Sequence, residues 1–374
     1  MLTTLEEHLG YLSDDRRIEQ FRRALEQAIS PGDIVADIGC GFGILGLICL
    51  QAGASRVWGI DKTEAIEIAR ETMFRAGLDA QFNGVRESSF HAKLPEKVDA
   101  IVCDHVGYFG IDYGILEIMG DARRRLLKPG GLIVPSQVSL FIAGVSSPIC
   151  RAKAEAWTAA EVPNEYRWLR EYGVNFKHRY DFSPSEILSE PVKMGSIDLT
   201  QDSDELIFFQ NSLCILKDCE LDGLAGWFEC TLAEGIWMTN SPLAADRIDR
   251  HQVFLPFDVP MKVRKEDSIE VSLAIRHRDG LISWSVQNRS NGLRQKQSTW
   301  RSKILSASDL DKKAIKPRNL NDVGRASMAI LNSVDGQLTS GEIEEAVATQ
   351  HPDLFPSREE IARFIRNELA RSTE

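Results

Sequence analysis

Two short stretches of the chain combine residue types that could do chemistry. The first, "VADIGCGFGILGL" at residues 35–47, places Asp37 ahead of Gly39, Gly41 and Gly43, which are spaced two apart. Glycines at this spacing let backbone N–H groups approach a ligand because no Cβ intervenes. The N-terminus of a helix that follows such a turn favours negative groups. The stretch therefore predicts a nucleotide-type binding site.

The second stretch, "CDHVGYFGIDYG" at residues 103–114, is a polar cluster that follows an apolar run. Asp104 and Asp112 together could bind a cation, and His105 could accept a proton because an unperturbed imidazole titrates near neutrality. We therefore predict these three residues to be catalytic. Tyr108 and Tyr113 are predicted to contact the substrate.

The elements around these stretches alternate between strand and helix patterns. "DIVADIG", "RVWGID" and "KVDAIVCD" are apolar strand candidates, residues 14–29 form an amphipathic helix pattern, and "KPGG" at 128–131 is predicted to be a turn. Alternation of this kind predicts a parallel sheet with helices on both faces, and hence an α/β, Rossmann-like fold. Both chemical stretches would then lie at the carboxyl edge of that sheet.

The pattern changes near Pro135. Residues 136–310 contain β-rich runs such as "HQVFLPF" and "SIEVSLAIRH", which indicate an antiparallel sandwich or barrel. From Gly324 onward the pattern is helical. The predicted organisation is a cofactor-binding domain, a β-barrel substrate domain, a charged linker and a small helical unit, at residues 1–134, 135–310, 311–323 and 324–374.

Composition limits the classes of function. The net charge of −11 argues against nucleic acid as the main partner. Seven cysteines form no C-x-x-C pair, so we expect free thiols in a reducing cytoplasm and no metal site. The N-terminus has no basic signal-peptide region, and no apolar run approaches the ~18 residues of a membrane helix.

The acids beside the glycines indicate which cofactor binds. Gly41, Gly43 and Gly46 also fit a dinucleotide pattern, so NAD is the alternative. Asp61 ends the second strand, where its carboxylate can accept hydrogen bonds from both ribose hydroxyls of either cofactor. Asp37 favours S-adenosylmethionine because its carboxylate can meet the ammonium group of the methionine part.

Several motifs resemble those of a known family. "DIGCGFGILGL", "RVWGID", "LPEKVDAIVCD" and "LKPGGLIVPS" occur in the order found in class I methyltransferases, and over roughly residues 9–290 the chain resembles the protein arginine methyltransferases. The resemblance implies S-adenosylmethionine as cofactor. It also implies a helical dimerisation arm near residues 155–180, where "REYGVNF" lies, and hence a homodimer.

The resemblance also implies roles for individual residues. Arg17 would meet the cofactor carboxylate through two N–H groups. Asp37, Gly39, Gly41 and Asp61 would hold the methionine and ribose parts. The adenine would lie between the two remaining candidates, Val85 and Glu87.

The acceptor site departs from the family pattern. The family holds a guanidinium between two glutamates of one loop, and these positions fall on Asp104 and Tyr113, with Asp112 beside the latter. The family's threonine–histidine–tryptophan loop falls on residues 247–249, "RID", and His251 lies three positions away. Three readings therefore stay open for the acceptor and the activity. They are methylation of a protein or peptide side chain such as arginine, N- or O-methylation of a small natural product, and a scaffold that has lost catalysis.

The C-terminal pattern suggests a peptide partner. "ILNSVDGQLTSGEIEEAV" indicates a helix, a tight Asp335-Gly336 turn and a second helix that begins with a capping box. It resembles the winged-helix fold of the pyrroloquinoline-quinone peptide chaperones, which implies that a peptide substrate binds there through its leader. A plain helical extension is the alternative.

Overall fold

The computed structural model describes residues 2–304, 320, 322–350, 355 and 357–372. The chain divides into two compact units, Met1–Lys303 and Ile304–Glu374. Within the described residues, no helix has both the length and the apolar character that crossing a membrane requires. The predicted linker at 311–323 lies almost wholly outside the described residues.

The first part of the larger unit is built on a parallel sheet, as predicted. Its strands run in the order β3-β2-β1-β4-β5, and each pairs in parallel with its neighbours. Four of the five residues of β1 are buried, as expected for a strand covered on both faces. The strands are β1 (Ile34–Ile38), β2 (Arg56–Ile60), β3 (Phe82–Val85), β4 (Val98–Cys103) and β5 (Leu127–Val134).

Helices connect and flank these strands. The predicted helix at 14–29 is confirmed as α2, and the Asp14 carboxylate caps it by accepting a hydrogen bond from the Arg17 N–H. The sequence did not predict α1, whose leucines at positions 5, 9 and 12 are all exposed. The helices are α1 (Leu2–Ser13), α2 (Asp15–Ala28), α3 (Ile44–Gln51), α4 (Ala65–Arg75) and α5 (Ile115–Arg125).

The predicted turn at "KPGG" was wrong. These four residues lie inside β5, in a stretch where the pairing with β4 is irregular. Val98 pairs with Leu127 and Ala100 with Leu132, so extra residues of β5 bulge out between the two pairs. Proline and glycine are tolerated there because a bulge leaves ladder positions unpaired.

The rest of the larger unit is antiparallel, as predicted. One sheet has the order β7-β12-β10-β6-β8, with β11 paired to β10, and the other has the order β15-β14-β13-β9. The strands are β6 (Gln137–Val145), β7 (His178–Tyr180), β8 (Val192–Asp198), β9 (Leu206–Cys214), β10 (Cys219–Ala233), β11 (Ile236–Thr239), β12 (Gln252–Val263), β13 (Ser268–Arg276), β14 (Leu281–Asn288) and β15 (Arg294–Ser298). Between β6 and β7 lie α6 (Pro148–Ala154), α7 (Arg170–Val174) and two short 3₁₀ turns.

One apolar core joins the parallel and antiparallel parts. It includes Ile101 of β4, Phe109 of the following loop, and Leu255 of β12. The packing is close, since a Cβ at Gly226 of β10 would lie 2.5 Å from the Phe109 ring. The loop that follows β4 is therefore held by packing against both the parallel and the antiparallel parts.

The smaller unit is helical in its described part. The helices are α8 (Asp322–Asn332), α9 (Ser340–Gln350) and α10 (Arg358–Ser372). The Glu342 carboxylate accepts from the Thr339 N–H at 2.8 Å, and the Glu342 N–H donates to the Thr339 hydroxyl at 3.4 Å, so the capping box is confirmed. The small core consists of five aliphatic residues: Ile330, Ile343, Val347, Ile361 and Ile365.

Candidate functional site

The glycine loop after β1 forms a bare cradle. Gly39 and Gly41 have φ of 66° and 52°, in the region that favours glycine. A Cβ at Gly39 would lie 1.8 Å from Cε1 of His105, and one at Gly41 would lie 2.4 Å from Cε1 of His8. Both glycines are therefore required for these two imidazoles to close over the loop.

This cradle is the floor of a cavity of about 890 Å³. A volume of this order is typical of sites that take a cofactor or drug-sized ligand. The cavity brings together all but two of the site residues that the sequence predicts. The predicted residues on its wall are Arg17, Asp37, Gly39, Gly41, Asp61, Glu87, Asp104, His105, Tyr108 and Tyr113.

Val85 and Asp112 are the two predicted residues that do not line this cavity. Val85 ends β3, where its carbonyl accepts a hydrogen bond from the Asp61 N–H at 3.1 Å. It therefore supports the wall from behind. Asp112 lines a second, smaller cavity of about 330 Å³.

Asp37 and Asp61 both fasten the loop. The Asp37 carboxylate accepts from the Gly46 N–H at 2.8 Å. Burial raises the pKa of Asp37 to about 7, although that hydrogen bond and the charge of Arg17 oppose the shift. Asp61 accepts from the Gly41 N–H at 2.9 Å through one oxygen and from the Thr63 N–H at 2.8 Å through the other. The two carboxylates thus hold the loop in one shape through its own backbone N–H groups.

Asp104 lies at the end of β4 between two arginines. It accepts from the Arg17 Nε at 2.5 Å and from the Arg250 Nη2 at 3.0 Å, and all three side chains are almost fully buried. Burial opposes ionisation of Asp104, but the two guanidinium groups outweigh it and lower its pKa to about 2. This buried carboxylate is therefore ionised at neutral pH.

Asp14 brings these two arginines together. One of its oxygens caps α2 at Arg17, and the other accepts from the Asp249 N–H at 3.0 Å. Arg250 also donates to the Gly107 carbonyl at 3.3 Å. Arg250 is thereby fixed against the loop that follows β4.

His105 and Asp112, the other two predicted catalytic residues of that loop, lie in different surroundings. Burial lowers the pKa of His105, so its ring is neutral at pH 7 and can accept a proton. Asp112 is buried, accepts from the backbone N–H groups of Tyr108 and Phe109 at 3.0 and 2.7 Å, and pairs with Lys177. Its carboxylate is therefore occupied by the protein.

Tyr113 stands where the family resemblance places the second acid. Its φ of 59° is unusual for a residue with a bulky side chain, and 58% of the residue is exposed. It lines both cavities. Tyr108 lines only the large cavity, and the Lys177 Nζ lies 5.2 Å from the centre of its ring. Burial raises the pKa of the Tyr108 phenol above its usual value.

Sequence reasoning missed His8 and Arg250. The His8 ring stacks on Phe42 of the glycine loop, with ring centres 4.0 Å apart, and both residues line the large cavity. The available signal was a histidine eight residues from the start of the chain and an arginine beside the "RID" loop. Neither residue has a local pattern that indicates a contact so distant in sequence. His251, which the sequence singled out, lines the cavity and pairs with Asp181 at 2.8 Å.

The cavity residues fit S-adenosylmethionine. The ligand has an ammonium, a sulfonium and a carboxylate. Over the glycine cradle the cavity offers a buried carboxyl, that of Asp37, and a buried guanidinium cation, that of Arg17. The acid at the end of β2, Asp61, meets the requirement for a ribose. Among the residues that the structure describes, no cluster of three or more acids, histidines or cysteines is arranged to hold a metal ion.

The known proteins that the chain resembles are methyltransferases, in agreement with a cavity that fits S-adenosylmethionine. Residues 22–175 match the family model described as ribosomal protein L11 methyltransferase (PrmA). The chain is 27% identical over 317 residues to protein arginine N-methyltransferase 6 of Xenopus laevis, covering 77% of this chain and 90% of that one. It is 29% identical over 273 residues to the arginine N(omega)-methyltransferase of Streptomyces achromogenes subsp. streptozoticus, covering 71% and 75%.

A solved structure shares the fold. The Trypanosoma brucei PRMT1 enzyme–prozyme heterotetrameric complex with AdoHcy superposes with a TM-score of 0.71 at 19% identity, covering 78% of this chain and 96% of that one. The resemblance predicted from the motifs is therefore confirmed. The chain is an S-adenosylmethionine-dependent methyltransferase that resembles the protein arginine methyltransferases in sequence and fold.

Proposed function

We propose that this enzyme transfers a methyl group from S-adenosylmethionine to a guanidinium nitrogen of arginine in a protein or peptide. The observation that carries the proposal is the ionised Asp104 on the wall of the cofactor cavity. A buried carboxylate there is a natural partner for a guanidinium, and it becomes available to a cationic acceptor once Arg17 turns to the cofactor carboxylate. The name of the Xenopus relative supports this class of acceptor.

We assign the cofactor-binding roles as follows. Arg17 meets the carboxylate of the methionine part, and Asp37 meets its ammonium group. Gly39 and Gly41 allow the backbone to approach the ligand, and Asp61 accepts from the ribose hydroxyls. Glu87 accepts from the adenine amino group, and His8 on Phe42 covers the ligand from the α1 side. Val85 supports this wall from behind.

The chemistry follows from the placement of charge. When bound, the cofactor would supply a methyl group on a sulfonium: an acceptor nitrogen lone pair would attack the methyl carbon in line while the C–S bond breaks, with the neutral thioether of S-adenosylhomocysteine as leaving group. Asp104 holds the acceptor in position, and orientation of this kind can lower the barrier by several kcal/mol. With a pKa of about 2, Asp104 is a poor base, so its role is electrostatic. The neutral His105 ring on the same wall is the group we propose to accept the released proton.

The test is transfer of labelled methyl from S-adenosylmethionine to a peptide with one internal arginine. The matched control is the same peptide with lysine in place of arginine. We expect label in the arginine peptide, recovered as methylarginine after hydrolysis. Label in both peptides, or in neither, would contradict the proposal. Tight cofactor binding with no transfer to any acceptor would instead favour the catalytically inactive scaffold.

Free arginine is the second candidate acceptor. The Streptomyces relative is named an arginine methyltransferase without reference to a protein, which is a specific reason to include it. The same assay with free arginine separates the two candidates. Label in free arginine alone would place the enzyme with small-molecule methyltransferases.

We propose that the chain forms a homodimer through the segment between β6 and β7. Trp157, Tyr166 and Trp168 in this segment are 41%, 54% and 62% exposed, which is unusual for large aromatic side chains. A second copy of the chain would cover them. Sedimentation equilibrium tests this, and we expect Trp168→Lys to shift the protein toward monomer.

The two antiparallel sheets are proposed to form the barrel-like substrate domain, residues 135–310. The smaller unit is proposed to bind the leader of a peptide substrate in a winged-helix manner. The seven free cysteines, five of them buried, support a reducing compartment such as the cytoplasm. Pull-down of leader peptides by the full chain, with and without Ile343→Asp in the small core, tests the second of these proposals.

A further inference from the structure

The small cavity opens off the wall of the cofactor cavity, because Phe90, Tyr113 and Ile118 line both. Phe90 and Tyr113 are 44% and 58% exposed, although both carry large aromatic rings. Exposed rings that meet at one place are typical of a surface that a ligand covers. A ligand whose reactive end lies in the large cavity can therefore extend past these two rings into the small one.

A short path of hydrogen bonds joins Asp104 to the wall of the small cavity. The Arg250 Nη1 lies 3.3 Å from both Asp104 Oδ1 and the Gly107 carbonyl oxygen. The next residue, Tyr108, donates its N–H to Asp112 Oδ2 at 3.0 Å, and Asp112 lines the small cavity. With one peptide unit between them, these contacts place the two carboxylates no more than about 12 Å apart. An arginine side chain and one extended residue span such a distance.

Apolar side chains form the deepest part of the small cavity. Ile275 of β13 and Ile282 of β14 are paired across the two strands and are 1% and 2% exposed. The volume of about 330 Å³ lies at the lower end of the range for ligand sites. The other apolar residues that line it are Phe90, Ile111 and Ile118.

The acids that line the small cavity have basic partners of their own. Asp112 pairs with Lys177, and Oε1 of Glu117 lies 2.5 Å from Nδ1 of His277. Arg278 also lines the cavity, and it is exposed to solvent. An occupant of this cavity would therefore gain mainly from the burial of apolar surface rather than from an ion pair.

Tyr113 is held between the two cavities by an unusual backbone conformation. Its φ of 59° lies in the region that favours glycine. Residues other than glycine in this region cluster at ligand sites, where the surrounding structure maintains them. The conformation fixes the position of the Tyr113 ring at the junction, where a ligand that occupies both cavities must pass it.

We infer that the small cavity binds a large apolar side chain of the acceptor peptide, one or two residues from the arginine that lies on Asp104. The inference rests on the proposed function and names the class of peptide that the enzyme prefers. Tyr113 would contact the stretch of peptide backbone that joins the two residues. The isoleucines of β13 and β14 would exclude water from the apolar side chain.

The test is calorimetric binding of peptide amides to the full chain in the presence of S-adenosylhomocysteine. The reference peptide has one internal arginine with alanine at the two positions on each side. Each of four further peptides has leucine at one of these positions. We expect one leucine peptide to bind about tenfold tighter or more than the reference, because three additional carbon atoms are buried. Equal affinity of all five peptides overturns the inference.

Ile275→Thr tests whether the small cavity is the source of this gain. A hydroxyl on its floor should reduce the advantage of the leucine peptide to about threefold or less and leave the affinity for the reference peptide unchanged. Ile269→Thr is the matched control, since Ile269 is equally buried on the same strand and lines neither cavity. A leucine advantage that Ile275→Thr leaves intact, or that both variants reduce alike, overturns the inference.

Tyr113→Gly is the second variant if Ile275→Thr does not fold. Glycine accepts the φ of 59° without strain, and the side chain that it removes is exposed. Loss of the ring should reduce the leucine advantage, and an unchanged advantage overturns the inference.

The two proposals can fail separately. Methyl transfer to the arginine peptides with no preference for leucine overturns the role of the small cavity and leaves the proposed function standing. A leucine advantage that depends on Ile275, without methyl transfer to arginine, overturns the proposed function alone. A wild-type protein that binds none of the peptides contradicts both.

Discussion

Asp37 should make cofactor binding depend on pH. Burial raises its pKa to about 7, so the carboxyl is half protonated at neutral pH in the free protein. An ammonium group binds the ionised form, and ligand binding must then expel the proton. The affinity for S-adenosylhomocysteine, which has the same ammonium group, should therefore fall as the pH is lowered through 7.

The size of the effect follows from the titration. With a pKa of about 7, the ionised fraction falls from about one half at pH 7 to about one thirtieth at pH 5.5, which weakens binding about 15-fold. The ammonium of the ligand remains charged over this range because an α-amino group titrates nearer 8. The same shift fixes the sign of the pH dependence of stability. As the pH rises, Asp37 ionises at a lower pH in the unfolded chain than in the folded protein, so the stability of the free protein falls between about pH 4 and 7.

Calorimetry at pH 5.5, 6.25 and 7.0 measures the slope, and Asp37→Asn provides the decisive variant. We expect Asp37→Asn to bind weakly with little pH dependence and to be more stable than wild type at pH 7 without ligand. His105→Gln is the control for a second titratable side chain on the same cavity wall, and the slope should persist in it. A flat wild-type profile, or an unchanged slope in Asp37→Asn, would refute the assignment of the ammonium to Asp37.

Three further predictions concern the cradle, the acid and the smaller unit. Gly39→Ala should destabilise the fold by about 2 kcal/mol or more and abolish cofactor binding, because the new Cβ would clash with His105. Gly77→Ala is the control: at φ 71° with open space around it, it adds only backbone strain, which melting curves measure. Asp104→Asn should reduce methyl transfer by about 10²-fold or more and lower the melting temperature, because two buried arginines lose their partner; intact activity would show the acid to be structural. Truncation after Lys303 should preserve cofactor affinity, because residues up to 303 form their own unit, and should raise KM for a peptide that carries a leader.

The sequence predicted the parallel half of the fold well because its signals are local. β1, β2 and β4 are short apolar runs, and the helices between them end at glycines or have a clear apolar face. The error at "KPGG" has the same origin. Proline and glycine indicate a turn locally, but a bulge opposite β4 accommodates them within β5.

The sequence predicted only those site residues that lie at the end of a strand or in the loop after it. Asp37 lies near the end of β1, and Asp61 and Asp104 directly follow β2 and β4. These strands end at the same sheet edge, so the convergence of the three acids could be deduced. Arg250 comes from a loop 146 residues away in sequence, and its contact with Asp104 depends on how the antiparallel part packs against the parallel sheet. The same holds for His277 on Glu117, at a separation of 160 residues. Hydrophobic periodicity specifies elements but not which charged side chains meet across them.

The charge around Asp104 implies that cofactor and acceptor depend on one another. Arg17 and Arg250 both contact one carboxylate, so in the free protein the oxygens of Asp104 are occupied by two guanidinium groups. If Arg17 instead pairs with the cofactor carboxylate, as proposed, one of these contacts is released and Asp104 becomes available to the acceptor. Because cofactor and acceptor both depend on where Arg17 points, we expect the cofactor to bind first and the acceptor second.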